Sequence, residues 1–93
     1  MIRTDRKGTK LTIQISSIVD WQTEDELERI VSWELDDVET LCFDMSGVED
    51  ISSVMLRVIL YAEKQMRGKG KLILCNGNAK IVSICEAQGI DYK

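Results

Sequence analysis

No histidine occurs anywhere in the 93 residues, and that one absence removes several chemistries at once. A Cys-His zinc site, a Cys-His nucleophile pair and a Ser-His-Asp triad all need an imidazole, so most hydrolase readings fall away. A run of about 18 apolar residues, the minimum for a membrane-crossing helix, is also missing. The start Met1-Ile2-Arg3-Thr4-Asp5-Arg6 lacks the apolar centre of a signal peptide. The expectation is a cytoplasmic protein with no membrane insertion. Basic residues are in deficit, 12 Lys and Arg against 16 Asp and Glu, for a net charge of −4. A duplex binder needs a positive footprint, so a neutral or basic protein partner is expected rather than nucleic acid. Neither a Gly-x-Gly-x-x-Gly nor a Gly-Lys-Ser/Thr signature is present. Gly68-Lys69-Gly70 and Asn76-Gly77-Asn78 read as ordinary turns, and no cofactor is expected. There is no internal repeat, low-complexity tract or linker.

What is present fits one ordinary α/β domain over residues 1–93, with 44% hydrophobic and 30% charged residues. Cys42, Cys75 and Cys85 are widely spaced, two in apolar strand-like runs and one on a helix, the pattern of buried reduced thiols. Ile2 to Arg6 and Leu11 to Ile15 flank Lys7-Gly8-Thr9, and Leu11, Ile13 and Ile15 alternate with polar residues, which predicts a hairpin with one buried face. Ser16 to Asp20 then leaves the sheet. Thr23 with Glu26 three residues on reads as a capping box, predicting a helix over about 24–35. Its apolar stripe is Leu27, Ile30, Val31 and Leu35. Asp36 to Glu39 is an acidic turn. Lys71 to Cys75 reads as a strand buried on both faces, and a last helix is expected over 79–88, stopped by Gly89.

The most informative stretch runs from Phe43 to Leu60. A short β-prone segment, Leu41 to Phe43, meets turn residues at Asp44 to Gly47. Apolar spacing at the period of a helix begins near Leu56, just after Ser52, whose hydroxyl is placed to cap a helix over about 53–67. Ser52 and Ser53 therefore sit at a helix N-terminus, where free amides and the helix dipole favour negative charge, so a phosphate on a serine would be stabilised. A plain N-cap beside a solvated first-turn serine has the same residue types, and composition does not separate the two.

The string Asp44-Met-Ser-Gly-Val-Glu-Asp-Ile-Ser-Ser-Val-Met-Leu-Arg-Val-Ile-Leu60 closely resembles the motif of the STAS family, the domain shared by sulfate transporters and bacterial anti-sigma factor antagonists. The likeness extends to Val19-Asp20, to Lys71–Asn76, and to Cys85-Glu-Ala-Gln-Gly-Ile-Asp91, covering nearly the whole chain. The resemblance implies a mixed four- or five-stranded sheet with helices packed on it. It also implies a shortened C-terminus, since the family usually continues with a strand and a helix past the Gly-Ile-Asp turn. Its functional implication is an anti-sigma factor antagonist, not an enzyme. Such a protein binds an anti-sigma factor that is also a serine kinase, is switched off by serine phosphorylation, and is restored by a phosphatase. A STAS-like scaffold or regulatory subunit without a switch is the other reading. Val54 and Met55 favour it, because many members carry Ser, Thr or Ala and then Gly at those places. Anchored on Ile51 and Leu56, the family's variable pair falls on Ser53 and Val54. The usual phosphoserine is the second of that pair, which here is Val54, so Ser53, then Ser52, is the expected site.

The partner surface is expected around the same helix start. Val54, Val58 and Tyr61 make a second apolar row that one buried stripe does not need, with Arg57 at its margin. Asp44 matches a family residue that helps shape the serine loop; from residue type alone it is also a plain strand breaker. Ser46 and Asp50 complete the expected contact set. Paired carboxylates at Asp44, Glu49 and Asp50 also bring glycosidase or metal chemistry to mind, but no second domain or ligand spacing supports it.

Overall fold

The computed structural model describes residues 2–15 and 21–93. Its elements run β1 (Ile2–Lys7), β2 (Lys10–Ile15), α1 (Trp21–Trp33), β3 (Thr40–Asp44), α2 (Ser53–Met66), β4 (Lys71–Cys75), α3 (Ala79–Gln88) and β5 (Asp91–Tyr92). Expectation and structure agree on a mixed sheet, here five-stranded in the order β1-β2-β3-β4-β5. β1 and β2 are antiparallel, with Ile2 opposite Ile15 and Lys7 opposite Lys10, and every later pairing is parallel.

That order determines the layers. Each parallel pair is joined through one helix, and such crossovers are right-handed almost without exception. Because β2, β3, β4 and β5 follow one another in a single direction, right-handed crossovers carry α1, α2 and α3 to the same face. The strands record this as alternation. Leu11, Ile13, Ile15, Leu41, Phe43, Leu72 and Leu74 point to the helices and are buried with Leu27, Val31, Met55, Ile59, Ala62, Ile81 and Cys85 in one core. The opposite face carries Thr12, Gln14, Cys42, Ile73 and Cys75 and has no described helix over it.

Several sequence expectations are corrected here. β4 is not buried on both faces: Leu72 and Leu74 are, but Ile73 and Cys75 are half-buried, because all the helices lie on one side. Thr23 is not an N-cap. It lies inside α1 on the buried side, since the helix already includes Trp21 and Gln22. The cysteines are not all free thiols: Cys42 and Cys75 are joined across β3 and β4, while Cys85 is free and buried. The segment 16–20, including Val19 and Asp20, lies outside the described residues.

The connections are fastened by backbone contacts. Gly70 lies so close to Glu39 that a Cβ there would overlap the Glu39 carbonyl, and Lys71 N–H donates to that same oxygen at 3.0 Å. Lys69 Nζ reaches the Leu35 carbonyl at 3.0 Å. The end of α1 and the turn after α2 are thereby held together at the edge of the sheet opposite the Asp44 loop. Among the described residues no helix is long and apolar enough to cross a membrane.

Candidate functional site

The parallel strands β3 and β4 both end at one edge of the sheet, and the loops that leave them build the candidate site. In doubly wound folds a deep crevice forms at that edge where the strand order reverses. Here the order never reverses and helices cover one face only. The loops accordingly make an open cleft of about 400 Å³, lined by Met45, Ser46, Gly47, Val48, Glu49, Asn76, Gly77 and Asn78.

Asp44 closes β3 and organises the first loop. Its Oδ1 accepts the Ser46 N–H at 3.0 Å, an Asx turn, and the Asn76 side-chain amide at 3.2 Å. The Ser46 N–H is the main reason its carboxyl is held below its ordinary pKa; the Asn76 amide adds to this, and partial burial acts in the other direction. Further along, Met45 and Val48 are buried and anchor the loop in the core, and Val48 N–H donates to the Met45 carbonyl at 3.0 Å. Asp50 is exposed and accepts the neighbouring Ile51 N–H at 2.8 Å.

Asn76 and Asn78, which sequence reasoning passed over as turn residues, clasp this loop from the next one. Asn76 takes a positive φ of 59°, which asparagine tolerates better than most residues, and this backbone bend brings its amide to Asp44. Asn78 caps α3 by accepting the Ile81 N–H at 3.0 Å, and its Nδ2 donates to the Glu49 carbonyl at 2.7 Å. The only local signal was an Asn three residues before an apolar helix start. The second partners lie about thirty residues away and could not be read locally.

Ser52 is the N-cap of α2: it has extended backbone, and its hydroxyl accepts the Met55 N–H at 3.0 Å. The same hydroxyl donates to Glu24 Oε1 at 3.2 Å, which ties the start of α2 to α1. Ser53 is exposed in the first turn, and Arg57 stands one turn further on. From there the exposed side of α2 carries Val54, Leu60 and Tyr61, at 39%, 36% and 36% exposure. Tyr61 Oη lies 3.3 Å from Ser32 Oγ, and a pocket of about 230 Å³ between α1 and α2 is lined by Glu28, Arg57, Val58 and Tyr61.

Val58 departs from the expected surface row. It is 2% exposed and packed in the core, because α1 lies alongside α2 and covers that side of the helix. The buried arc is therefore turned toward Val58 and away from Leu56, which is only half-buried. Leu60, absent from the expected set, is exposed in its stead. Ser52, Ser53, Val54, Arg57 and Tyr61 do share one helix and its exposed side. Asp44, Ser46 and Asp50 belong to the preceding loop. Among the described residues no group of three or more His, Cys, Asp or Glu is arranged to hold a metal ion.

The result is a small two-layer α/β domain with an open loop cleft at one edge of the sheet and two serines at the start of α2. The sequence model of the STAS domain matches residues 1–93, and the chain belongs to that family. Its fold is similar to that of the anti-sigma factor antagonist SpoIIAA in its unphosphorylated form: TM-score 0.87 at 12% identity, covering 100% of this chain and 87% of the other. The Bacillus cell fate determinant SpoIIAA in the phosphorylated form gives 0.83 at 13% identity, covering 97% and 85%. An anti-sigma factor antagonist from Mycobacterium paratuberculosis gives 0.76 at 16% identity, covering 96% and 77%. A comparison with curated protein sequences finds no match.

Proposed function

We propose that this STAS domain is an anti-sigma factor antagonist of a partner-switching pathway, with Ser53 as its switch. Unmodified, it binds an anti-sigma factor that is also a serine kinase; phosphorylated, it releases that partner; a phosphatase restores it. The observation that carries the reading is the division of labour between two adjacent serines. Both serines are exposed, but the Ser52 hydroxyl is engaged on both sides, by Met55 N–H and by Glu24, whereas among the described residues no hydrogen bond engages the Ser53 hydroxyl at the head of the Val54, Arg57, Leu60 and Tyr61 surface.

A phosphate on Ser53 adds about −1.5 to −2 charges. It would lie over the first-turn amides of α2 and one turn from Arg57, where the domain itself tolerates the charge. A partner fitted to a neutral hydroxyl and an apolar strip would not, since like charge or an unpaired buried charge at an interface costs several kcal/mol by common estimates. Phosphorylating Ser52 would remove a cap worth about 1 kcal/mol and set the phosphate against Glu24. The chain supplies a binding surface and an acceptor hydroxyl; catalysis belongs to the kinase and the phosphatase. Fold kinship with SpoIIAA in unphosphorylated and phosphorylated forms supports the same reading.

The scaffold reading retains one specific observation. Val54, where the family resemblance puts the usual phosphoserine, is itself exposed and carries no hydroxyl. Mass spectrometry of the protein taken from its source cells decides between them: a phosphate on Ser53 supports the switch, and an unmodified chain under every growth condition supports the scaffold.

A further inference from the structure

The sheet face that has no described helix over it carries a feature that the partner-switching reading does not use. Cys42 and Cys75 occupy the two central parallel strands and are joined there, with Cα atoms 6.6 Å apart and a sequence separation of 33. That spacing is within the range that a disulfide spans. Register explains the approach. Cys42 lies opposite Ile73 and Asp44 opposite Cys75, so Cys42 and Cys75 point to the same face as diagonal neighbours. The two sulfurs differ in access: Cys42 is 4% exposed, whereas Cys75 is half-buried on a face with no described helix over it. Cys85 is enclosed in the core on the opposite face, and burial pushes its thiol pKa up, so it takes no part.

The pair also sits directly under the site. The Met45 N–H donates to the Cys75 carbonyl at 2.8 Å, and the next residue, Asn76, donates its side-chain amide to Asp44. Cys42 is two residues before Asp44. A bond between these sulfurs therefore joins the roots of the two loops that form the cleft.

We propose that Cys42 and Cys75 are a modification site, a dithiol that a low-molecular-weight disulfide such as glutathione disulfide oxidises reversibly. The accessible Cys75 thiolate attacks the small disulfide, forming a mixed disulfide and expelling one small thiolate, which takes up a proton. The Cys42 thiolate then attacks the Cys75 sulfur, closing the internal bond and expelling the second small thiolate. The two protein thiols together lose two electrons and two protons, and the small disulfide is reduced to two thiols. Oxidation fixes β3 to β4 beneath the Asp44 loop; reduction frees them.

The test uses the full chain, reduced and then incubated with glutathione disulfide. The expected product has lost the mass of two hydrogens, takes up one alkyl group instead of three when denatured and alkylated, and yields a peptide linking Cys42 to Cys75. Dithiothreitol reverses all of this. Cys85→Ala still forms the Cys42–Cys75 bond, now taking up no alkyl group instead of two, and Cys75→Ala abolishes it. Amide exchange at Met45 slows on oxidation. A glutathione adduct that persists on Cys75, a bond that includes Cys85, no oxidation at all, or identical exchange at Met45 in both states would each overturn the proposal. Because none of these readouts involves a kinase or an anti-sigma factor, they stand whether or not the antagonist reading holds.

Discussion

Two helices begin at the same edge of the sheet, and their caps are near copies in geometry. Ser52 accepts the Met55 N–H and Asn78 accepts the Ile81 N–H, each from three residues on and each at 3.0 Å. They differ in where the second hydrogen bond goes and in which residue follows. Asn78 gives its amide to the Glu49 carbonyl and so locks one loop to another, and Ala79 after it has nothing to offer chemically. Ser52 gives its hydroxyl to a side chain on α1 and is followed by an exposed Ser53. Equivalent capping thus yields a structural clasp at α3 and a presented hydroxyl at α2. What sets a helix start apart as a site is its unspent donors and acceptors, not the cap itself.

The largest expected effect is on the clasp. Asn78→Ala removes a cap and a cross-loop hydrogen bond together, an expected loss of about 2 kcal/mol. For a domain of this size that corresponds to roughly 8–16 °C in thermal midpoint. Ser52→Ala loses the cap and an exposed bond to Glu24, and should cost about 1 kcal/mol. Equal losses at the two positions would break the comparison.

The two sides of α2 give a second contrast. Val58→Ala, in the core, should cost about 2 kcal/mol in urea unfolding. Val54→Ala, half-open on the surface, should cost less than about 0.5 kcal/mol. A cost at Val54 matching that at Val58 would mean that both sides of α2 are structural.

Ser53→Ala should also leave stability within about 0.5 kcal/mol of the parent, because it serves no cap. The smallest effect concerns Asp44. Its folded-state pKa is lowered by the Ser46 and Asn76 donors, so its contribution is present above the ordinary carboxylate pKa and is lost as pH falls through the lower folded value. Stability measured down that acid range should fall less steeply in Asp44→Asn than in the parent. An identical pH profile would remove Asp44 as the organiser of its loop.

Much of this architecture was legible in advance because it is local. Ser52 before a periodic apolar run, Gly89 after one, and turn residues at Asp44 each act through backbone groups within three or four residues. The failures share a non-local cause. Val58 looked superfluous to one stripe until α1 supplied a second surface to bury it. Thr23 with Glu26 fits the local signature of a cap, yet a local signature does not reveal that the helix includes earlier residues. Asn76 and Asn78 act on residues 32 and 29 positions away. The Cys42–Cys75 pair depends on strand register, which neither segment encodes alone. At the site the same rule holds: the loop and the serine pair were readable, whereas Glu24, Glu28 and Leu60 became visible only with α1 and α2 side by side.

The central claim is that Ser53 is the presented hydroxyl and Ser52 the structural one. It is tested most directly by incubating the parent, Ser52→Ala and Ser53→Ala chains with ATP and the anti-sigma factor kinase that the proposed function calls for, then locating the phosphate by peptide mass spectrometry. The account predicts labelling on Ser53 in the parent and in Ser52→Ala, and none in Ser53→Ala. Labelling that survives in Ser53→Ala and disappears in Ser52→Ala would contradict it.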